Sequence, residues 1–351
     1  MCALNSNKNM YFKNWSMLKI SLISLVSLLL IATGWMIWFV SSLFAEPDLS
    51  KIPAYHPFKS FKAQEKYLAY YDSRAKEWPV ASEVKYVETS FGKTFVRISG
   101  QPGSPVLVLM PSVGAPSLMW MPNIKGLSEY FRVYAVDNVY DFGRSINYKI
   151  MKTPHDMTSW MDELFTGLNL GDSINIAGLS LGGWLTSEYT LSHPERLHRA
   201  IWIAPVATIA DIPNEFIWRG ILGALPIRSC MYSMVNWAFS DLVKKQDAYS
   251  RKLVEDVVTD ASLAFKCFKF KMPVTPLVLT DNELKSIKVP VLFLVGEHEV
   301  IYSPHNANDV VQRLKSVAPT IKTEIIKGAS HDLTYVQADM VDNSIINFIK
   351  N

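Results

Sequence analysis

The segment G-L-S-L-G at 178–182 contains the residue types with the clearest chemical meaning in this chain. It lies between a short apolar run, 174–177, and an amphipathic stretch. A buried strand that turns sharply into a helix is the setting in which the serine of a G-x-S-x-G motif becomes a nucleophile. Glycines two residues before and after the serine let the backbone make such a turn. We therefore predict Ser180 as a nucleophile, with Gly178 and Gly182 forming its turn.

A serine hydroxyl is a weak nucleophile at neutral pH, so it needs a base within hydrogen-bonding reach and a third group that orients the base. Of seven histidines, His331 is the predicted base, because it follows the last apolar run in the sequence G-A-S-H. This position places it at the carboxyl end of the predicted strands, where Ser180 also lies. The other histidines lie on helix ends, loops or linkers, which is typical of surface or structural residues.

An acidic residue follows the apolar run 291–295 and provides the third group. Glu299 is the predicted orienting acid, since it comes just past the end of that run. Glu297 is a near competitor, and Asp211 lies just beyond another predicted strand. An exposed loop carboxylate without a catalytic role is the alternative interpretation of Glu299.

Short apolar runs alternate with helical stretches along most of the chain. Six such runs lie at 106–110, 133–136, 174–177, 200–204, 289–295 and 323–326. This alternation predicts a parallel sheet that is buried on both faces. Two further strands, 84–88 and 94–98, are joined by a turn at Gly92 and predict an antiparallel start to the sheet.

Roughly eighty residues without a strand pattern separate two of these runs, which is far longer than an ordinary connection. Their apolar residues recur at helical spacing, as in Met231, Met234, Val235, Ala238 and Phe239. We interpret 209–284 as a helical cap whose methionine and aromatic side chains line an apolar pocket. The alternative is that these side chains only pack the cap onto the core.

The N-terminal region contains 25 residues without a charge, 20–44. At helical rise this segment reaches roughly 37 Å, enough to cross a hydrocarbon core about 30 Å thick. Lysines precede it without any acid among them, so the positive-inside bias predicts a cytoplasmic N-terminus and an extracytoplasmic main domain. The competing interpretation is a cleaved signal peptide, which is normally shorter and ends in a small-x-small site.

The chain of 351 residues, 49% hydrophobic and 19% charged, suits one large domain with a membrane segment. The predicted organisation is a cytoplasmic N-terminus, an anchor, a linker with one helix, the first part of the core, the cap and the second part of the core, at 1–19, 20–44, 45–80, 81–208, 209–284 and 285–351. The net charge of +3 is too small to indicate nucleic-acid binding. Three cysteines exclude a disulfide scaffold; Cys230 and Cys267 are predicted as free thiols, with one bridge as the alternative.

A serine turn, a capping insertion, an acid after one strand and a histidine after the next together resemble the α/β-hydrolase superfamily over residues 83–350. The resemblance implies an eight-stranded, mostly parallel sheet with helices on both faces and the active site at the carboxyl ends of the strands. It also implies an oxyanion hole formed by the backbone N–H groups of Leu181 and Val113. The run Pro111-Ser112 departs from the His-Gly found in many relatives.

These features predict a membrane-anchored serine hydrolase that cleaves a carboxylic ester or related acyl compound, with an apolar acyl group favoured by the cap. No cofactor or metal is expected, because the sequence lacks the motifs that bind them. Peptidase, thioesterase, perhydrolase and carbon–carbon bond hydrolase activities share the same triad. A catalytically silent binding module at the membrane surface is the alternative from another class, and a basic, lipid-facing cap surface at Lys244, Lys245, Arg251 and Lys252 is a third hypothesis.

Overall fold

The computed structural model describes residues 24–42, 52–270, 272 and 274–351. The chain divides into two units, Met1–Ala45 and Glu46–Asn351. In the first unit, helix α1 (Ser24–Ser42) has a mean hydropathy of 1.9 and is long and apolar enough to cross a membrane. The remaining residues of the predicted anchor, 20–23 and 43–44, lie outside the described residues, as do 1–19 and 45–51.

In the described part of the second unit, one sheet contains nine strands. They are β1 (Ser82–Thr89), β2 (Gly92–Ser99), β3 (Val106–Met110), β4 (Arg132–Val136), β5 (Ile146–Asn147), β6 (Ile174–Leu179), β7 (Leu197–Ile203), β8 (Val291–Gly296) and β9 (Lys322–Ile326). Their order across the sheet is β1-β2-β4-β3-β6-β7-β8-β9, and the short β5 pairs with β2. From β4 to β9 every pairing is parallel, whereas β2 pairs antiparallel with β1, β4 and β5. The predicted mostly parallel sheet of eight strands is confirmed, with β5 as an unpredicted two-residue addition.

The central strands are buried along their whole length. Every residue of β6 and of β8 is buried. Side chains alternate between the two faces of a strand, so uninterrupted burial requires cover on both faces. The uninterrupted apolar runs at these positions therefore specify interior strands, and their carboxyl ends are held by rigid neighbours on both sides.

Helices surround this sheet in chain order. They are α2 (Phe61–Ala75), α3 (Met121–Ser128), α4 (Pro154–Gly167), α5 (Leu181–Ser192), α6 (Asn214–Gly223), α7 (Arg228–Ala238), α8 (Ser240–Lys245), α9 (Ala248–Cys267), α10 (Asp281–Ser286), α11 (Ala307–Val317), α12 (Leu333–Val336) and α13 (Ala338–Lys350). Helix α5 packs on β6 and β7 and against α4, while α3 packs against α13. The long insertion between β7 and β8 contains α6 to α9, which we call the cap.

An ion-pair network joins α2 to the longest cap helix, α9. Arg74 of α2 has a side chain that is only 11% exposed, and its guanidinium lies 3.3 Å from Asp256 and 3.3 Å from Asp260. Tyr70 donates a hydrogen bond to Asp260 at 2.5 Å. Burial raises the pKa of the Asp260 carboxyl, while the Arg74 guanidinium lowers it. The cation thus compensates two carboxylates that the packing of α2 on α9 removes from water.

Replacing Arg74 with alanine leaves those carboxylates without their cation. We expect Arg74→Ala to lower the free energy of unfolding by about 2 kcal/mol, measured by urea denaturation. Lys93→Ala is the matched control, because Lys93 and Glu88 are both exposed and 3.5 Å apart; its loss should stay below about 1 kcal/mol. Equal losses in the two variants would contradict a structural role for the α2–α9 network.

Candidate active site

Ser180 stands at the turn between β6 and α5. Its backbone has φ 56° and ψ −112°, a strained conformation for a residue with a side chain. The turn is held by the N–H of Ser180, which donates to Ile203 O at 2.9 Å, and by the N–H of Val206, which donates to Ser180 O at 3.1 Å. Ser180 is 1% exposed, and its Oγ makes no hydrogen bond to any described group. The hydroxyl is therefore fixed by its backbone alone.

Two glycines permit this turn because backbone passes through the space that a side chain would fill. A Cβ on Gly178 would lie 2.1 Å from Gly182 O, and a Cβ on Gly182 would lie 2.3 Å from Met110 O at the end of β3. Both distances are shorter than any real contact of a Cβ atom. The predicted roles of Gly178 and Gly182 thus have a specific steric cause, namely the close approach of β6, α5 and the end of β3.

Glu299 and His331 form a buried pair. Nδ1 of His331 lies 3.1 Å from both carboxylate oxygens of Glu299, and the two side chains are 7% and 0% exposed. Oε1 of Glu299 also accepts hydrogen bonds from the N–H of Val300 at 2.9 Å and of Ile301 at 3.2 Å. The carboxylate is thereby held in one orientation, and Nε2 is left as the ring nitrogen of His331 that does not contact Glu299.

The structure distinguishes Glu299 from the two alternative acids. Glu297 is exposed and accepts a hydrogen bond from the N–H of Gly328 at 3.0 Å. Asp211 is exposed as well. Among the described residues, Glu299 is the acid that lies within hydrogen-bonding distance of the His331 ring.

Neighbouring strands bring the acid and histidine loops together. Glu299 follows β8 and His331 follows β9, and these strands are paired. Beyond their ends the loops stay in contact, since the N–H of His298 donates to Ala329 O at 2.9 Å. Ser180 follows β6, two strands away. The three residues selected from the sequence thus emerge at the carboxyl ends of strands on the same side of one sheet.

The predicted oxyanion donors are two backbone N–H groups. Leu181 is the first residue of α5, so its N–H has no acceptor within the helix. Val113 lies on the loop after β3, and its N–H makes no hydrogen bond to the described residues. The following N–H, of Gly114, donates to Oδ2 of Asp141 at 2.9 Å. Asp141 therefore anchors the loop that carries Val113.

Sequence reasoning missed Asp141 and the nearby Asp137. Burial raises the pKa of the Asp141 carboxyl to about 7 and also raises the pKa of Asp137. Asp137 is fully buried and accepts hydrogen bonds from the N–H groups of Ser117 at 2.7 Å and of Arg144 at 2.8 Å. No motif in the sequence marks either residue, because their donors are mostly backbone groups.

Aromatic side chains of the cap border this loop. Phe142 has ring centroids of Phe265, Phe268 and Phe270 at 4.9, 5.2 and 5.3 Å. A Cβ on Gly114 would lie 3.9 Å from the Phe142 ring. The cap therefore supplies an apolar wall beside the loop that carries Val113.

The methionine stripe of α7 has a different environment from the predicted pocket lining. Met231 and Val235 are buried against Val258 of α9, with Phe239 and Phe265 packed around them. These residues hold two cap helices together, which is the packing alternative considered above. Periodicity identified the apolar face correctly, but not its neighbour.

The basic residues of the cap are mostly paired within the protein. Lys244 lies 3.2 Å from Asp241, and Lys252 lies 2.7 Å from Asp256. Lys245 donates to Val336 O at 2.9 Å. These contacts disfavour the hypothesis of a basic cap surface open to anionic lipid.

Metal and thiol chemistry have little to act on in the described residues. No group of three or more His, Cys, Asp or Glu side chains among them could hold a metal ion. Cys230 and Cys267 are both free cysteines.

Comparisons with known proteins agree with this fold and geometry. The family model described as serine aminopeptidase, S33, matches residues 131–335. The chain is 36% identical over 282 residues to carboxylesterase YbfK of Bacillus subtilis, covering 80% of this chain and 92% of that protein. It is 34% identical over 284 residues to the uncharacterized carboxylesterase nap of the same organism, covering 81% and 92%. The crystal structure of a Bacillus subtilis naproxen esterase superposes with a TM-score of 0.75 at 30% identity, covering 83% of this chain and 99% of that one.

The chain belongs to the α/β-hydrolase superfamily. Within that superfamily it is a serine hydrolase of the esterase type. The resemblance inferred from the sequence is confirmed, as are ester hydrolysis and the predicted fold class.

The close approach at Gly182 leads to a specific prediction. Gly182→Ala places a methyl group against the carbonyl of Met110, so we expect a loss of about 2 kcal/mol in unfolding free energy. Displacement of the Ser180 turn should also lower esterase activity about 100-fold or more. Gly220→Ala is the matched control, because a Cβ there meets no atom within 4 Å; it should keep full activity and gain about 0.5 kcal/mol. Full activity in Gly182→Ala would contradict the steric account of the turn.

Proposed function

We propose that this protein is a membrane-anchored serine esterase in which Ser180, His331 and Glu299 act as the catalytic triad. The observation that carries the proposal is the buried contact between Glu299 and Nδ1 of His331, on loops that end two adjacent strands. Ser180 occupies the strained turn that in this superfamily carries the nucleophile. The proposal assigns nucleophile, base and orienting acid to residues whose geometry suits each role.

The proposed reaction has two halves. Oγ of Ser180 attacks the ester carbonyl carbon while Nε2 of His331 takes the hydroxyl proton, and a tetrahedral oxyanion forms. The imidazolium then gives this proton to the departing alcohol, which leaves an acyl group on Ser180. Water repeats the sequence: His331 takes a proton from the water, the carboxylic acid leaves and Ser180 regains its hydroxyl proton. Atoms balance, and no cofactor enters.

Glu299 has the role of holding His331 in one tautomer. A carboxylate at Nδ1 requires a proton on that nitrogen, so Nε2 presents its lone pair to the serine. Since Oε1 already accepts two backbone N–H groups, the carboxylate cannot rotate freely. The same charge stabilises the imidazolium that forms in each half-reaction.

Ser180 makes no hydrogen bond before substrate binds. In unliganded hydrolases the hydrogen bond between nucleophile and base is often long, and it tightens in the complex with substrate. The proposal therefore requires the hydroxyl to rotate toward Nε2 of His331 as the ester enters.

The developing oxyanion is assigned to the N–H groups of Leu181 and Val113. Such a donor typically contributes about 3 kcal/mol of transition-state stabilisation, because it is oriented before the charge appears. Backbone donors do not depend on side-chain identity, so the departure at Pro111-Ser112 leaves this function intact. The hydrogen bond from Gly114 to Asp141 supports the position of the Val113 loop.

The substrate class proposed is an ester with an apolar acyl group. The aromatic cluster of Phe142, Phe265, Phe268 and Phe270 lies beside the Val113 loop and would exclude water from an acyl chain there. Related proteins are described as carboxylesterases, one of them as a naproxen esterase. We extend ester hydrolysis from those proteins to this one, together with the apolar preference.

Labelling with a fluorophosphonate probe tests the triad. We expect the wild-type protein to be labelled, and Ser180→Ala or His331→Ala to lose ester turnover by about 10⁴-fold or more. Glu299→Gln should lose about 10³- to 10⁴-fold while remaining folded. Ser192→Ala on the exposed end of α5 is the matched control and should label normally. A Ser180→Ala protein that is labelled and active would refute the proposal, and a folded wild-type protein that neither reacts nor turns over ester would favour the silent binding module.

Anchoring to a membrane is the second part of the proposal. The 19 residues of α1 reach about 28 Å, close to the thickness of a hydrocarbon core. Large apolar side chains of α1 are exposed in the unit itself, for example Leu30 at 67% and Ile31 at 69%. With the lysines that precede it, the helix would place the N-terminus in the cytoplasm and the esterase outside.

Fractionation of cells tests the anchor. The full chain should remain in the carbonate-washed membrane pellet, and a chain that lacks residues 1–45 should move to the supernatant with its esterase activity intact. External protease should reach the esterase in spheroplasts while the N-terminus stays protected. Recovery of a mature protein that begins at Glu46 would instead establish a cleaved signal peptide.

A further inference from the structure

The N-terminus of cap helix α8 lacks a capping residue of its own. The preceding residue is Phe239, whose side chain makes no capping hydrogen bond. The first N–H groups of a helix have no acceptor within the helix, so they need one from elsewhere. Here the N–H of Leu242 donates to Oδ2 of Asp332 at 2.7 Å, across 90 positions of sequence. A residue next to His331 thus caps a helix of the cap.

Asp332 uses its second oxygen on the opposite side of His331. Oδ1 accepts a hydrogen bond from the N–H of Ser330 at 2.9 Å. Asp332 is fully buried, so both contacts are shielded from water and both matter for the position of the loop. The carboxylate therefore spans His331 by binding the residue before it and the cap helix beyond it.

A third contact joins the same loop to the end of α7. Oγ of Ser330 donates to Ala238 O at 2.9 Å in a buried position. Ala238 is the last residue of α7, and α8 begins two residues later. We call the segment Ala238–Leu242 the cap junction. It holds both neighbours of His331.

The cap junction also reaches the loop of the acid. Oδ2 of Asp241 lies 2.9 Å from Nδ1 of His298, the residue before Glu299. The His298 side chain is 50% exposed, so this contact is weaker than the buried ones. It nevertheless shows that one short segment of the cap touches the residues that flank both members of the Glu299–His331 pair.

We propose that Asp332 is a positioning residue, which docks the cap junction onto the His331 loop and thereby fixes the imidazole for catalysis. This inference rests on the proposed triad. It gives the cap a second role besides forming an apolar wall. A cap that shifts when substrate binds would carry the His331 loop with it, because the two are joined by buried hydrogen bonds.

Asparagine at 332 keeps the shape but not the two acceptors. Its amide has one oxygen, so either Leu242 or Ser330 would face an NH₂ group in place of an acceptor. We expect Asp332→Asn to lower kcat by about 10- to 100-fold, since a displacement on the order of 1 Å costs that much. KM should change by less than about threefold, because the aromatic wall is untouched.

Asp342→Asn is the matched control for loss of a buried carboxylate. Asp342 of α13 is buried and accepts a hydrogen bond from Nδ2 of Asn123 at 2.9 Å, away from the cap junction. The full-length protein in detergent would be assayed with p-nitrophenyl butyrate, and thermal unfolding would be followed for each variant. Asp342→Asn should keep kcat and KM within about twofold of wild type.

Ser330→Ala is a second variant that removes only the contact with Ala238 O, so it tests the same link with less risk to folding. We expect it to lower kcat about three- to tenfold at unchanged KM. A fall in kcat for Asp332→Asn and Ser330→Ala, without one for Asp342→Asn, supports the proposal. If both loop variants keep kcat within twofold of Asp342→Asn, or if their KM rises as much as kcat falls, the positioning role is wrong. Retained turnover in His331→Ala would instead overturn the triad itself.

Discussion

The close approach of backbone around Ser180 is the constraint on which the rest of this structure depends. The serine adopts φ 56° because β6 must turn into α5 within one residue. That turn is possible only where Gly178 and Gly182 leave room for the carbonyl groups of the neighbouring elements. The result is a hydroxyl held at the edge of the sheet by backbone geometry. Any element that serves the hydroxyl must come to this edge, and the order of the strands brings it there.

The sheet solves the problem of assembly by adjacency. Strand β6 pairs with β3 on one side and β7 on the other, so the Val113 loop lies next to the serine turn. Strands β8 and β9 pair with each other, so Glu299 and His331 meet without help from distant segments. Buried carboxylates then fix the loops: Asp141 holds the loop after β3, and Asp332 holds the loop after β9. In each case a carboxylate replaces water as the acceptor for backbone N–H groups.

Much of this arrangement could be predicted from the sequence because its signals are local. The apolar runs at β3, β6 and β8 specify interior strands, and a glycine pattern around Ser180 specifies the turn. Glu299 and His331 could be selected because each follows a strand closely, and strands in a parallel sheet end on the same edge. The short strand β5 carries no such signal, since two residues are too few to show a period.

The supporting contacts could not be predicted in the same way. Asp332 binds the N–H of Leu242, 90 residues away, and a backbone donor has no side-chain signature. Asp141 accepts from Gly114 for the same reason without a motif. The stripe of Met231 and Val235 was recognisable as an apolar face, but helical spacing alone does not say whether α9 or a substrate covers that face. These contacts depend on tertiary packing, which brings together segments that are distant in sequence.

A crystal structure of the protein after reaction with an alkyl phosphonate ester tests the central claim most directly. The account predicts a covalent bond between phosphorus and Oγ of Ser180, with the phosphoryl oxygen about 3 Å from the N–H groups of Leu181 and Val113. Nε2 of His331 should then lie within hydrogen-bonding distance of Oγ or of the leaving-group oxygen. A phosphonate bound to another residue, or an imidazole that remains out of reach of the Ser180 adduct, would contradict it.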